Sequence, residues 1–389
     1  MRIVSMALCL PFLFGTAQAS IFDEYLIDPE DGMLDASKYI SQKAQGFLPV
    51  PTIITEPAVG AGLGVMALFF HDTEEGKKQQ YTEHAMLPKS ISGLGALATE
   101  NGTWGLGLGH ISFWDQDTLR YRGFAGYGDF NLDFYSIGER ELNKPVALNL
   151  TGPAVVQQLA KRIPDTHIFI GAKQLFRHVT VSLDKPLFPE NNAIDVASLI
   201  DKQLALDITT SGVGAVFEFD NRNNPLNPET GFNYAGEYLY FGDAIGSDVD
   251  YRSMQAKGLN YWQLSKTINL ALRAQYDGVD TDATTNLPVY VLPFIDLRGI
   301  PKSRYQGTDV FVGEIEMGYK IGHRWRVNAF SGLGKASNSF SDLNSSTSRI
   351  TYGTGFRYLI AKRYGFVMGL DIAKGPEESA IYIQAGATW

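Results

Sequence analysis

Alternation of apolar with polar or small residues runs through most of the chain and is clearest at its carboxyl end. From Ala380 to Trp389, Ile381, Ile383, Ala385, Ala387 and Trp389 fall on one face of an extended segment, and Tyr382, Gln384, Gly386 and Thr388 on the other. A period of two marks a strand with two unlike faces. Trp104, Leu106 and Leu108 oppose Gly105, Gly107 and Gly109 in the same way. Phe366, Met368, Leu370 and Ile372 oppose Val367, Gly369, Asp371 and Ala373, and Trp325, Val327 and Ala329 oppose Arg326, Asn328 and Phe330. Such segments, bounded by turn residues, are predicted at 59–71, 86–99, 104–114, 118–127, 129–137, 148–162, 165–182, 204–219, 231–243, 249–264, 266–278, 308–320, 323–334, 347–360, 363–373 and 379–389.

Sixteen is an even number, which returns both termini to one side of a closed sheet. Longer polar connections near 72–85, 138–147, 183–203, 279–307 and 335–346 alternate with short ones near 116, 163, 265, 321 and 361; Asp220 to Gly231 is a longer turn on the short side. The pattern predicts an all-β fold: a transmembrane antiparallel β-barrel of about 16 strands with long extracellular loops and short periplasmic turns. An ordinary soluble sheet would show the same terminal strand, so the other end of the chain decides.

Residues 1–19 read as a signal peptide, with Arg2 as the positive start, an apolar stretch from Ile3 to Phe14 and a small-x-small site at Ala17-Gln18-Ala19. The only cysteine, Cys9, lies within it, so the mature chain is expected to form no disulfide and to use no thiol chemistry. Residues 20–46, acidic at first, read as a short periplasmic segment with one helical turn near Ala36 to Gln42, and 47–389 as the barrel. No stretch offers the roughly twenty apolar residues of a membrane helix. Mean hydropathy is −0.09, low because half of each strand would face a polar lumen. The 40 Gly, 19 Tyr and 23 Phe, with only 19% charged residues, suit a curved sheet with aromatic girdles. Loss of Arg2 leaves 32 of the 33 basic residues against 42 acidic ones, a net charge of −10, which excludes the basic footprint of a nucleic-acid binder.

The segment Leu297-Arg298-Gly299-Ile300, preceded by Asp296 and followed by Pro301, lies in the longest well-marked loop. Here the chain resembles the Omp85 superfamily, the BamA/TamA and bacterial surface antigen group of outer-membrane barrels, which carry an R-G motif on the sixth extracellular loop. The turn with Asp220, Arg222, Pro228 and Gly231 resembles the family's D-x-R-D-N-P…P-x-x-G turn, with Asn223 replacing an Asp. Phe330 to Gly334 resembles an F-x-D-x-G strand with Gly332 in place of the acid, and Ile300 stands where an aromatic is usual. The resemblance covers residues 47–389. It implies that the loop folds into the lumen and that Arg298 meets acidic residues on the wall, with Glu316, Glu314 and Asp371 as candidates. Burying the guanidinium demands such partners, and its planar fork suits a carboxylate. A loop carrying a solvated Arg298 is the alternative.

The family's weak pairing of first and last strands implies a lateral seam, here placed between 59–71 and 379–389. Gly60, Gly62 and Gly64 would loosen its first strand, with Tyr382 and Trp389 on its last; accommodation of curvature is the plainer role for these glycines. The 27 or so residues at 20–46 are too few for a periplasmic POTRA domain, so a separate periplasmic partner protein is expected to supply client recognition. The implied function is insertion or translocation of outer-membrane proteins, or envelope assembly, at the bacterial cell outer membrane. Its partners are outer-membrane lipid and an unfolded membrane-protein client. A passive pore or non-catalytic membrane platform is the alternative. His110 and Ser112 are two apart on one strand, an accidental pairing of interfacial residues; no H-E-x-x-H, Walker or Rossmann pattern occurs, and no enzymatic activity, cofactor or metal is expected.

Overall fold

A computed structural model describes residues 24–42, 48–71, 90–137, 140–183, 207–282, 287–387 and 389. The predicted signal peptide, the connection at 72–85 and nearly all of that at 183–203 lie outside the described residues. The short helix α1 (Ser37–Gln42) precedes sixteen strands. These are β1 (Leu48–Ile54), β2 (Gly62–Phe70), β3 (Ser90–Thr99), β4 (Trp104–Trp114), β5 (Leu119–Ile137) and β6 (Arg140–Arg162). Next come β7 (Ile168–Leu183), β8 (Asp207–Asp220), β9 (Gly231–Phe241), β10 (Tyr251–Gln263) and β11 (Ile268–Asp280). The last five are β12 (Asp309–Ile321), β13 (Trp325–Ser337), β14 (Arg349–Ala361), β15 (Phe366–Lys374) and β16 (Ser379–Ala385).

Each strand pairs antiparallel with the next, in sequence order from β1 to β16. The sheet curls until β1 and β16 adjoin, yet among the described residues no ladder joins them. Strand length is uneven: β10 to β14 have 13 residues each, whereas β1 and β16 have 7. The register carries one face continuously around the barrel from Glu314 and Arg273 to Gly105 and Gly64. The opposite face exposes Leu63, Val65, Leu94, Leu106, Leu108, Ile315, Met317 and Val327. An apolar girdle around a buried polar interior is the inside-out arrangement of a transmembrane barrel.

The strand count agrees with the sequence pattern through two opposing departures. β1 is not among the predicted segments; it carries Pro49 and Pro51, which have no N–H to give a ladder. In turn, 118–127 and 129–137 are one strand, β5, which runs unbroken past Gly126 and Gly128. Counting β1 moves the expected seam. Gly60 lies in the β1–β2 turn with φ 77°, and Gly62 and Gly64 lie on β2, so the terminal edge belongs to β1 and not to 59–71. Phe70 and Ser90, which flank the 72–85 connection, fall at the end of the barrel that carries both termini, not at the end of the long loops. The loop expected at 138–147 is mostly strand, since β6 begins at Arg140.

The acidic segment before the barrel is docked. The Arg324 side chain, in the β12–β13 turn, is almost fully buried beneath Asp28 (2.5 Å), Asp31 (2.7 Å) and Asp35 (2.6 Å). Ala36 N–H donates to the Ile360 carbonyl (2.7 Å) and the Tyr358 hydroxyl to the Leu34 carbonyl (2.7 Å). The segment thus straps two adjacent hairpins at the terminus end.

Candidate functional site: a loop latched inside the barrel

The 287–308 part of the β11–β12 connection folds into the lumen. Its apolar residues Ile295, Leu297, Ile300 and Tyr305 pack with Val310 and Val312 of β12. Glycines on β13 make the slots: a Cβ on Gly334 would stand 2.3 Å from Ile295 Cγ2, and one on Gly332 2.9 Å from Leu297 Cδ2. Gly299 adopts φ 93° and touches the β15–β16 turn, where a Cβ would lie 2.8 Å from the Gly375 nitrogen. Only glycine suits both the positive φ and that approach. Its N–H donates to the Tyr382 hydroxyl (2.9 Å), joining the loop to the last strand.

The same fold delivers Arg298 to the wall at 8% exposure. Its Nε donates to Glu314 Oε1 (2.7 Å), with Nη2 on the same oxygen, and Nη1 donates to Asp371 Oδ2 (2.7 Å) and faces Glu316 Oε2 (2.8 Å). The guanidinium lies over the Phe330 ring, 3.4 Å from its centroid. The structure thus brings Arg298 against all three carboxylates named from the sequence. A second cation was not foreseen: Arg357 grips Asp371 through Nη1–Oδ1 (2.6 Å) and Nη2–Oδ2 (2.9 Å). Its signal was its position on the inward parity of β14, one strand from Asp371. Gly332 also finds its reason, for Glu314 is its direct cross-strand partner and supplies a carboxylate from the neighbouring strand. Such a buried, mutually hydrogen-bonded ion cluster has one low-energy arrangement, which fixes the loop's position.

Trp389 departs from expectation. β16 ends at Ala385, Gly386 turns the chain with φ 81°, and the Trp389 indole N–H donates to Glu314 Oε2 (3.2 Å) inside the lumen. Ala387 and Trp389 therefore do not continue the lipid face of Ile381 and Ile383. The loop also reaches the β1–β2 turn, where Lys302 N–H donates to Glu56 Oε1 (3.3 Å); burial pushes that carboxyl above its usual range.

The β8–β9 turn closes the terminus end. Arg222 holds Asp220 through Nε–Oδ1 (2.8 Å) and Nη2–Oδ2 (3.1 Å). Gly231 takes φ 104°, with a Cβ 2.5 Å from the Asn221 carbonyl oxygen, so glycine is required there. Pro228 lines a small cavity with Tyr261, Glu316 and Trp389. On the outer face, His110 Nε2 and Ser112 Oγ lie 2.6 Å apart and Ser92 Oγ 2.9 Å from His110 Nδ1. Ser112 is fully buried, so this pair offers no nucleophile to a substrate.

An in-order antiparallel barrel of sixteen strands, with a lumenal arginine loop before β12, has the fold of an Omp85-type outer-membrane barrel. No family model and no curated protein matches the sequence. Among solved structures, BamA from Haemophilus ducreyi lacking POTRA domains 1-3 is similar over 94% of this chain and 81% of its own, with a TM-score of 0.54 at 11% identity. CdiB from Acinetobacter baumannii is similar over 87% of this chain, with a TM-score of 0.53 at 10% identity. CdiB from Escherichia coli covers the same share, with a TM-score of 0.54 at 11% identity. The chain spans 59% and 62% of those two CdiB chains. At these identities the fold is what is shared.

Proposed function

We propose that the chain acts at the bacterial outer membrane in insertion or translocation of outer-membrane proteins or in envelope assembly, with a separate periplasmic protein presenting the client. The observation that carries this reading is the unpaired β1/β16 junction in a barrel whose β12–β15 wall, next to β16, is held by the Arg298 cluster. A rigid wall lets the seam part without collapse of the whole sheet, and a free strand edge is a template for another strand. Residues 1–19 serve as the leader on this reading, and the mature chain starts at Ser20, which amino-terminal sequencing of the membrane form checks.

The test is insertion of an unfolded model barrel protein into liposomes containing this protein, against liposomes containing an unrelated porin. Faster insertion than the porin control supports the reading. Equal rates, both alone and with added periplasmic extract, would instead leave a passive pore or platform.

A further inference from the structure

On a transmembrane barrel apolar side chains ordinarily face lipid and polar ones the lumen. The wall from β1 to β6 departs from that rule over part of its height. The register sets Thr52, Gly64, Leu97, Gly105, Gly128 and Gly152 in one inward row. The next two rows of the same face bring Met66, Gly95 and Gly107, then Gly93, Gly109 and Phe124. Met66, Phe124 and Phe130 are 38%, 48% and 37% exposed although they point into the lumen. These residues line a cleft of about 480 Å³, which has the size of a small-molecule pocket and no charged side chain in its lining. Water against so much apolar surface is unfavourable.

The lumenal loop covers only the upper part of this wall. Val289 packs there with Phe134 and Leu148, and the Ser303 hydroxyl donates to the Asp133 carbonyl (2.9 Å). None of the loop's described residues lines the cleft below. At its foot the chemistry changes. Two residues before Phe124 on β5 stands Arg122, and the register runs from it to Gln158 on β6 and Lys173 on β7. Lys173 is held by Glu237 (2.6 Å), whereas Arg122 meets Glu218 through Nη2 (3.1 Å) and keeps 41% of its side chain exposed. The site is therefore amphipathic, an apolar face above an accessible guanidinium. From Phe130 to Phe124 the apolar face runs about 20 Å along the strand. One leaflet contributes about half of a roughly 30 Å hydrocarbon core, so a single acyl chain fits that length. Thr52 and Ile54 bring the cleft to β1, whose outer edge has no ladder to β16 among the described residues, so its nearest apolar neighbour is the bilayer itself.

We propose that the inward glycine wall binds one acyl chain of an anionic phospholipid from the leaflet at the terminus end, with the lipid phosphate against Arg122. The glycines make the seat: a Cβ on Gly95 or Gly109 would meet nothing nearer than 3.6 or 3.7 Å, so their missing side chains leave room that the sheet itself does not need. Arg122 supplies the charge-assisted contact that selects an anionic head. This site goes beyond the insertion reading and does not depend on it, since lipid retention and the acceleration of client insertion are read separately.

The test is native mass spectrometry of the full chain, extracted in detergent and exposed to dioleoyl phosphatidylglycerol. The parent should retain a single phosphatidylglycerol. Gly95→Phe and Gly109→Phe place a ring where the acyl chain lies and should lower retention about tenfold. Leu94→Phe, on the lipid face of the same strand, should leave it unchanged. Arg122→Gln should also lower retention about tenfold, with Arg122→Lys restoring most of it. The heat-induced mobility shift on gels checks that each variant is a folded barrel. Equal retention by the parent, Gly95→Phe, Gly109→Phe and Leu94→Phe would mean lipid on the outer surface only and overturns the site. Retention of no lipid by the parent, as when a segment of the chain itself fills the cleft, overturns it too. Oleate retained in preference to phosphatidylglycerol overturns the phospholipid in favour of a free fatty acid. Full retention by Arg122→Gln overturns the head-group contact.

Discussion

The inward faces of β2, β3 and β4 carry no charged side chain, whereas those of β10 to β15 carry Lys257, Arg273, Asp277, Glu314, Glu316, Arg326, Arg357 and Asp371. Next to the seam the wall is made of Gly64, Gly93, Gly95, Gly105 and Gly109, bordering a cavity of about 480 Å³ that Phe124, packed over Gly107, and Phe130 also line. On β13 and β14, glycines serve the opposite purpose: Gly332 and Gly334 are filled by Leu297 and Ile295, and Gly355 by Asp371. One wall leaves room, and the other consumes it. The difference assigns rigidity to the wall that holds the loop and leads to β16, and freedom to the wall that begins at β1.

The largest effect is expected at the centre of the charged wall. Arg298→Ala leaves Glu314, Glu316 and Asp371 buried without their shared cation, a loss on the order of 3–5 kcal/mol. The heat-induced mobility shift on gels should then occur at markedly lower temperature and planar-bilayer conductance should rise. Unchanged values in both would erase the contrast between the walls.

Glycine substitutions should separate the walls next. Gly299→Ala meets the Gly375 nitrogen at 2.8 Å from a positive φ, and should cost about 1–3 kcal/mol. Gly109→Ala and Gly95→Ala meet nothing nearer than 3.7 and 3.6 Å, and should stay within about 0.5 kcal/mol of the parent or gain slightly. Thermal unfolding of the three variants side by side reads this directly; equal losses would mean that the glycine wall is as tightly filled as its opposite.

A smaller, pH-dependent effect concerns the strap beneath the charged side. The hydrogen bond from Arg324 holds Asp31 below its ordinary value of 3.8. For Asp35, burial acts upward and is outweighed by hydrogen bonds from Ser37 and Arg324, so it too is lowered. A depressed carboxylate contributes its stability fully above the unfolded value and loses it as pH falls through the folded one. Limited proteolysis should therefore find residues 24–42 protected from neutral pH down to about 4 and released only in stronger acid. Release beginning near pH 6 would contradict the clamp.

The barrel was legible because alternation survives wherever one face meets lipid, and Arg298 with its acids was legible because charges inside a predicted barrel need partners. β1 was not, since Pro49 and Pro51 look like strand breakers unless one knows that they lie on the outermost edge. β5 was divided because Gly126 and Gly128 mark both turns and crowded inward faces. Trp389 was misplaced because the inward turn depends on Gly386 alone, within a run that still alternates. Arg324 and its three aspartates join positions almost 300 residues apart in the chain, a closeness that no local pattern encodes.

The short strands at the seam have a consequence for the lipid. Seven residues rise about 23 Å along a strand, and a tilt of about 40° leaves roughly 18 Å of height, against an apolar band of about 25 Å on an outer-membrane barrel. The thirteen-residue strands β10 to β14 meet that band with length to spare. The two leaflets must then draw together beside β1 and β16, so the bilayer stores elastic strain along that line, and acyl-chain length becomes a control on how readily the seam parts.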